Sequence, residues 1–292
     1  MPRQPAITQA MIKAYDDYTH LTLDRRGFMN KLKTLTGSAA AAAAVAPMLA
    51  ASSARAAMVA EDDARLEVSD ITFDGATSEM RGQLSIPVDA TGPLPAVVVI
   101  HENRGLNEHI RDVARRLALE GFATLAVDFL SPLGGTPDDE DKAREMIRTL
   151  EGSETIANAT AARSFLAGHE KTNGSVGAIG FCWGGGLVNN LAVADADLGA
   201  GVAYYGRQAS AADVPTIKAP LMLHYAGLDE RINSGIEDYR AALEAAGKRF
   251  ELHMYEGVNH AFNNDTSAAR YDKAAAELAW SRTVAFLRDN LG

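Results

Sequence analysis

The chain predicts an α/β fold, a mostly parallel central sheet of about eight strands with helices on both faces. Three observations predict it. Short β-branched runs alternate with longer helical patterns from residue 66 to the end of the chain. Several runs, Ala96–Ile100 among them, are continuously apolar, as strands buried on both faces are. No internal repeat or low-complexity linker interrupts the series. Of 292 residues, 47% are hydrophobic and 23% charged, the balance of an ordered globular chain. Counts of 25 Gly, 10 Pro and one Cys exclude collagen-like repeats and disulfide scaffolds.

The net charge is −10, with 28 basic against 38 acidic side chains. Residues 1–56 hold seven basic and three acidic groups, which leaves 21 against 35, or −14, for residues 57–292. So acidic a surface repels phosphate backbones, and nucleic acid is not an expected partner.

Residues 1–56 read as a twin-arginine-type signal peptide, and residues 57–292 as a single α/β domain. Residues 24–33 form a basic region that contains Arg25-Arg26-Gly27-Phe28. A weakly apolar, alanine-rich stretch runs from Leu35 to Ala51, and Ala54-Arg55-Ala56 offers an Ala-x-Ala exit. The arginine pair resembles the bacterial twin-arginine export signal, so the translocase is an expected partner and the periplasm the destination. That route carries folded proteins. The competing reading is an anchor that is never cleaved. The stretch falls short of the ~20 strongly apolar residues a span requires, and no permanent membrane span is expected. Residues 5–23 could form a short amphipathic helix, with no function legible in it.

The remaining elements follow in order. Leu66–Phe73 and Glu79–Ile86 alternate around Asp74-Gly75 and read as an antiparallel pair. Strands are expected at Ala96–Ile100, Phe122–Val127, Ser175–Phe181, Ala200–Tyr204, Pro220–Tyr225 and Phe250–Tyr255. Helical patterns cover about 107–120, 139–168, 184–194, 234–246 and 270–290, the last with Trp280, Val284, Leu287 and Leu291 on one stripe. In such sheets the site lies at the carboxyl ends of the strands.

The loop after Ser175–Phe181 reads Gly180-Phe181-Cys182-Trp183-Gly184, a nucleophile elbow with sulfur in place of oxygen. The alternative is a buried cysteine in a glycine-rich helix start. Cys182 has no possible intramolecular disulfide partner, which points to a nucleophile. Such a thiol needs a base and an orienting acid. Asp229 follows the strand ending at Tyr225, and His260 follows the strand ending at Tyr255, in the chain order this topology requires. Glu230 competes with Asp229 for the acid. Asn103 and Trp183 are the candidate oxyanion donors through their backbone N–H groups. His101-Glu102-Asn103-Arg104-Gly105 is not a zinc-protease motif, and neither a dinucleotide fingerprint nor a Walker loop is present. No metal and no cofactor are expected.

The motifs His101-Glu102-Asn103-Arg104-Gly105-Leu106-Asn107, Gly180-Phe181-Cys182-Trp183-Gly184-Gly185, Tyr204-Tyr205-Gly206 and Asn259-His260-Ala261-Phe262 resemble the dienelactone hydrolase family over about residues 65–291. With the signal, the chain is similar to a subgroup exported by the twin-arginine route. The resemblance implies a Cys-His-Asp triad, a thioester intermediate and no cofactor. It also implies that Glu102 holds the thiol at rest, although from the residues alone Glu102 could instead pair with Arg104. Two substrate-binding arginines of the founding enzymes are missing: the matching stretches read Asp128-Phe129-Leu130-Ser131-Pro132 and His260-Ala261-Phe262-Asn263-Asn264. Arg104 and Arg207 lie on other site-facing loops and could replace them, the alternative being that no substrate carboxylate is recognised; Tyr205 is a further substrate-binding candidate. The expected activity is hydrolysis of small esters or lactones. The alternatives are a broad carboxylesterase, a thioesterase or peptidase on the same triad, and a non-catalytic binding protein.

Overall fold

A computed structural model describes residues 7–20, 22–50 and 58–292. The expected cleavage site Ala54-Arg55-Ala56 lies outside the described residues. From residue 66 onward the chain builds one eight-stranded sheet: β1 (Leu66–Asp74), β2 (Glu79–Pro87), β3 (Leu94–Ile100), β4 (Ala123–Asp128), β5 (Thr172–Phe181), β6 (Ala200–Tyr204), β7 (Leu221–Ala226) and β8 (Phe250–Tyr255). The order across it is β1-β2-β4-β3-β5-β6-β7-β8. β1 and β2 pair antiparallel, as does β2 with β4; every later pair is parallel.

The apolar runs explain the layering. Val97 and Val99 of β3 enter a core on one face, while Ala96, Val98 and Ile100 enter the core on the other. A strand covered on both faces has no polar positions to spare. Each fully buried valine contributes about 1.5–3 kcal/mol of hydrophobic stabilisation. The alternating β1 lies at the sheet edge and remains largely exposed.

Helices α4 (Glu108–Leu119), α7 (Trp183–Ala194), α9 (Ile236–Ala245) and α10 (Lys273–Leu291) fall where periodicity places them. Along α10, Val284, Leu287 and Leu291 are buried and Trp280 is half-buried. The pattern over 139–168 is two helices rather than one, α5 (Glu140–Thr149) and α6 (Gly152–Ala167). Leu150 and Glu151 between them are extended, with ψ of 131° and 125°. The break lets Ala143 and Ile147 of α5 pack on Leu130 and Trp183, while α6 runs along the sheet. A four-residue helix α8 (Glu230–Asn233) was too short for periodicity to find.

The N-terminal segment folds as three helices, α1 (Gln9–Thr19), α2 (Arg25–Thr36) and α3 (Ala39–Ala50). Asp24 caps α2 by accepting from the Gly27 N–H. Gly37, with φ of 80°, ends it in the left-handed conformation that side chains resist. The alanine-rich stretch therefore splits, and α2 and α3 meet at a bend of 114°. No single described helix is long and apolar enough to cross a membrane. Met11, Tyr15, Phe28, Leu32, Val45 and Leu49 form a small core of their own. This three-helix cap sits over the carboxyl ends of β3, β5, β7 and β8 through contacts to Asn103, Cys182, Glu230 and Asn259.

Candidate active site

β5 delivers Cys182 and α7 starts at the next residue, so the backbone turns within one position. Cys182 takes φ of 56° and ψ of −112°, a conformation an L-residue adopts only when its surroundings force it. The glycines beside it make the turn possible. A Cβ on Gly180 would lie 2.2 Å from the Gly184 carbonyl oxygen, and one on Gly184 would lie 2.5 Å from that of His101. The Cys182 N–H donates to the Tyr204 carbonyl at 3.0 Å, which fixes the elbow to β6. The N-terminal end of α7 lies beside the sulfur, where its dipole favours thiolate.

Asp229 caps α8, its Oδ1 accepting from the Ile232 N–H at 3.3 Å. Its Oδ2 lies 2.5 Å from Nδ1 of His260, and both residues are buried. The carboxylate therefore accepts a hydrogen bond from Nδ1–H and leaves Nε2 directed elsewhere; among the described residues no hydrogen-bond partner meets Nε2. Burial pushes the Asp229 carboxyl up, but His260 beside it holds it below the ordinary range. Burial also pushes the His260 imidazole down. Asp229, the Cys182 sulfur and Asp16 outweigh burial and hold it well above its usual value. Glu230 does not compete: its side chain is 83% exposed and pairs with Lys13.

The partner of the thiol comes from the cap. Nε2 of His20 lies 3.3 Å from Sγ of Cys182, and its ring meets that of His260 edge-on at 4.6 Å. Burial raises the thiol, yet His260 and His20 together bring it down to about 6. One ring nitrogen from each histidine and the sulfur lie within 4.8 Å of one another, the single metal-capable group of this kind among the described residues. A borderline-soft divalent cation is what such a set could hold.

The loop after β3 is fixed on both sides. His101 donates from Nδ1 to the Glu102 carbonyl at 2.6 Å and accepts from the Phe129 N–H at 3.2 Å on Nε2, which sets its tautomer. Its ring stacks on Trp183 at 5.3 Å. Asn103 donates from its side chain to the Thr19 carbonyl at 2.8 Å. Glu102 has neither of the partners expected for it. Its carboxylate accepts from Asn264 at 2.9 Å and from the Tyr205 hydroxyl at 3.5 Å, while His20 holds the thiol instead. Burial raises Glu102; His109, Arg270 and Arg104, with the Asn264 hydrogen bond, bring it below its ordinary value. Arg104 pairs at 3.0 Å with Glu140 and donates to the Tyr15 hydroxyl at 2.8 Å. It is buried behind the cap, held by Tyr15 of α1 and Glu140 of α5 rather than facing substrate, so the expectation that Arg104 meets substrate is corrected.

A cavity of about 460 Å³ opens beside Cys182. Asn103, Trp183, Tyr205, Arg207 and His260 line it. Tyr205 is strained at φ of 39° and packs its ring on His260 at 4.8 Å. Sequence reasoning missed His20, Thr19, Arg144, Arg148 and Arg231 on the same wall. Arg231 keeps Nε and one terminal nitrogen buried without a hydrogen-bond partner. Only the amphipathic pattern of residues 5–23 hinted that the cap packs against something.

Comparison with known proteins sets this geometry among relatives. A family model described as the dienelactone hydrolase family matches residues 80–291. A protein of Escherichia coli O157:H7 that bears the name carboxymethylenebutenolidase is 32% identical over 219 residues, covering 69% of this chain and 79% of its own. A Bradyrhizobium protein named as a 2-oxo-3-(5-oxofuran-2-ylidene)propanoate lactonase is 32% identical over 233 residues, 74% of this chain and 92% of its own. A crystal structure from Klebsiella pneumoniae, named for dienelactone hydrolase, superimposes with a TM-score of 0.71 at 28% identity, covering 76% of this chain and 98% of that one.

Proposed function

The chain belongs to the dienelactone hydrolase family of α/β-hydrolases, carboxylic ester hydrolases, and on that premise we propose that it cleaves small esters or lactones through a thioester on Cys182. One observation carries this reading: Cys182, Asp229 and His260 each follow a different strand of the sheet and converge, with Asp229 fixing the tautomer of His260 at 2.5 Å. The thiolate attacks the carbonyl carbon, and the oxyanion is met by the N–H groups of Asn103 and Trp183. The leaving oxygen takes a proton from the imidazoles beside the sulfur and departs as the alcohol, and the acyl group stays on sulfur. With the thiolate charge gone, unprotonated His260 takes a proton from water, whose oxygen adds to the acyl carbon and releases the acid and the thiolate. Tyr205, protonated because burial holds its phenol well above the ordinary value, keeps Glu102 in place behind the site.

The cavity wall supports an anionic substrate. Arg207 and Arg231 stand on it, and a carboxylate is what would pair the buried donors of Arg231.

The reading extends to export. Arg25 and Arg26 open α2 with both side chains exposed, where a receptor can reach them. Fractionating the producing cells checks it: the protein is expected in the periplasm, and a cytoplasmic location for the wild type overturns it.

The test of the activity is the initial rate of the purified full chain on a short-chain aryl ester and on a dienelactone, with Cys182→Ala alongside. Turnover of either, lost in the variant, is the expected result. Turnover of the ester alone discards the lactone and keeps the nucleophile. Rates unchanged in the variant, or no turnover by the wild type, overturn the proposal.

A further inference from the structure

We propose that His20, carried on the N-terminal cap, is a catalytic residue: it protonates the departing alkoxide while His260 serves the water step. The inference rests on the ester hydrolase reading above. Its geometric basis is a second imidazole on the nucleophile. His20 places Nε2 3.3 Å from Sγ and lines the substrate cavity with Thr19 and Thr22. Its other nitrogen is committed, because Nδ1 lies 2.9 Å from the Asp16 carbonyl oxygen, which can only accept, and 3.3 Å from the Asp16 carboxylate. Asp16 thus does for His20 what Asp229 does for His260, leaving Nε2 as the working atom in both rings.

The placement is built rather than incidental. Arg270 approaches the Asp16 carboxylate at 3.7 Å and covers the Tyr15 ring at 5.3 Å. The Tyr15 hydroxyl accepts from the buried Arg104, and the Thr19 carbonyl accepts from Asn103 in a proposed oxyanion loop. Tyr15 and Thr19, which bound the last turn of α1 just before His20, are therefore both tied to the loop after β3.

The chemistry explains why a second acid is needed. When the thiolate adds to an ester, the adduct can expel sulfur or alkoxide. A thiolate is a far better leaving group than an alkoxide, so the adduct reverts unless the alkoxide oxygen gains a proton as its bond to carbon breaks. In acylation the S–C bond forms, the C–O bond breaks and the Nε2 proton of His20 passes to the alcohol. Once the sulfur is acylated its negative charge no longer holds the His260 proton, which passes to solvent. In deacylation water then gives a proton to His260, its oxygen bonds to the acyl carbon and the S–C bond breaks. The carboxylic acid product returns a proton to His20, and the thiolate is again beside two protonated imidazoles. The sum is ester plus water to carboxylate, alcohol and one proton.

A consequence follows for the N-terminus. The cleavage expected near Ala56 and a working His20 exclude one another, so the acting enzyme retains the cap.

The test compares two esters with the same acyl group, ethyl and p-nitrophenyl, on the full-length wild type, His20→Gln and His20→Ala. Nitrophenolate departs without a proton and ethoxide does not. His20→Gln is expected to lower kcat/KM on the ethyl ester by about 100-fold or more, and on the nitrophenyl ester by less than about fivefold. His20→Gln preserves a polar side chain if His20→Ala fails to fold. Equal losses on both esters would mean a structural wall and overturn the proposal, as would no loss on either. A wild type inactive on both esters would instead sink the ester hydrolase reading. Intact mass of enzyme from the producing cells is expected to include residue 20; a fully active form starting at residue 57 would also overturn it.

Discussion

Asp229 and Glu230 are consecutive in the chain and serve different neighbours. Asp229 is buried with Oδ2 2.5 Å from the ring of His260, whereas Glu230 lies in solvent and pairs with Lys13 of the cap at 3.1 Å. Asp229→Asn should therefore lower kcat by about 100-fold or more, since the amide can offer a donor to Nδ1 and favour the wrong tautomer. Glu230→Gln should stay within about twofold, because an exposed ion pair is worth about 0–1 kcal/mol. Steady-state kinetics on an aryl ester read both, and the reverse ranking would exchange their roles.

Replacing the nucleophile gives a graded outcome. Cys182→Ala should remove turnover while circular dichroism stays that of the wild type. Cys182→Ser should lose most of the rate, because two imidazoles that draw a proton from a thiol cannot ionise an alcohol to the same extent. A serine variant at wild-type rates would mean the site is tuned for oxygen.

The thiol titrates in an unusual range. Burial alone would push it up, but His260 and His20 bring it to about 6, so the reactive thiolate is the major form above that pH and is lost below it. Alkylation of the native protein by iodoacetamide should rise through pH 6 and level off before pH 7.5, where an ordinary cysteine, with a pKa of about 8.5, is still mostly protonated. A midpoint near 8.5 would contradict the assigned electrostatics.

The elbow should be intolerant of a single methyl group. Gly184→Ala places a Cβ 2.5 Å from a backbone oxygen of His101, where no flexible side chain can yield. We expect a loss of about 1–3 kcal/mol or more in urea unfolding. Gly92→Ala, in open space, should leave stability within about 0.5 kcal/mol.

Arg207 is exposed on the cavity wall. Arg207→Ala should raise KM about tenfold for a carboxylate-bearing lactone, equivalent to about 1.4 kcal/mol, and leave KM for a neutral aryl ester within about twofold. Equal effects on both substrates would remove carboxylate recognition from its role.

What could be read from the sequence follows its physical origin. Ala96–Ile100 announces a two-faced strand because burial on both sides leaves it no polar residue. Gly180 and Gly184 announce the elbow because close approach of backbones excludes any Cβ. Asp229 and His260 were legible from their places after β7 and β8, although only the fold separates Asp229 from Glu230. His20 was not legible: 162 positions separate it from Cys182, and a docked helix rather than any local pattern creates the contact. The same docking claims Arg104, whose partners Tyr15 and Glu140 come from two distant segments. The helix break at Leu150 and Glu151 escaped because neither residue type forbids a helix.

The cap also orders events during synthesis. Gln9 bonds to Asn259, 250 positions further along the chain, and ribosomes at about 5–20 residues per second need roughly 12–50 seconds to cover that interval. Throughout it the cap has only part of the surface it finally covers, since Asn103 and Cys182 are made first and Glu230 and Asn259 last. Cys182 is made 162 positions after His20, but β8 and the loop that carries His260 follow only near the end, so the two imidazoles meet beside the sulfur when translation is almost over.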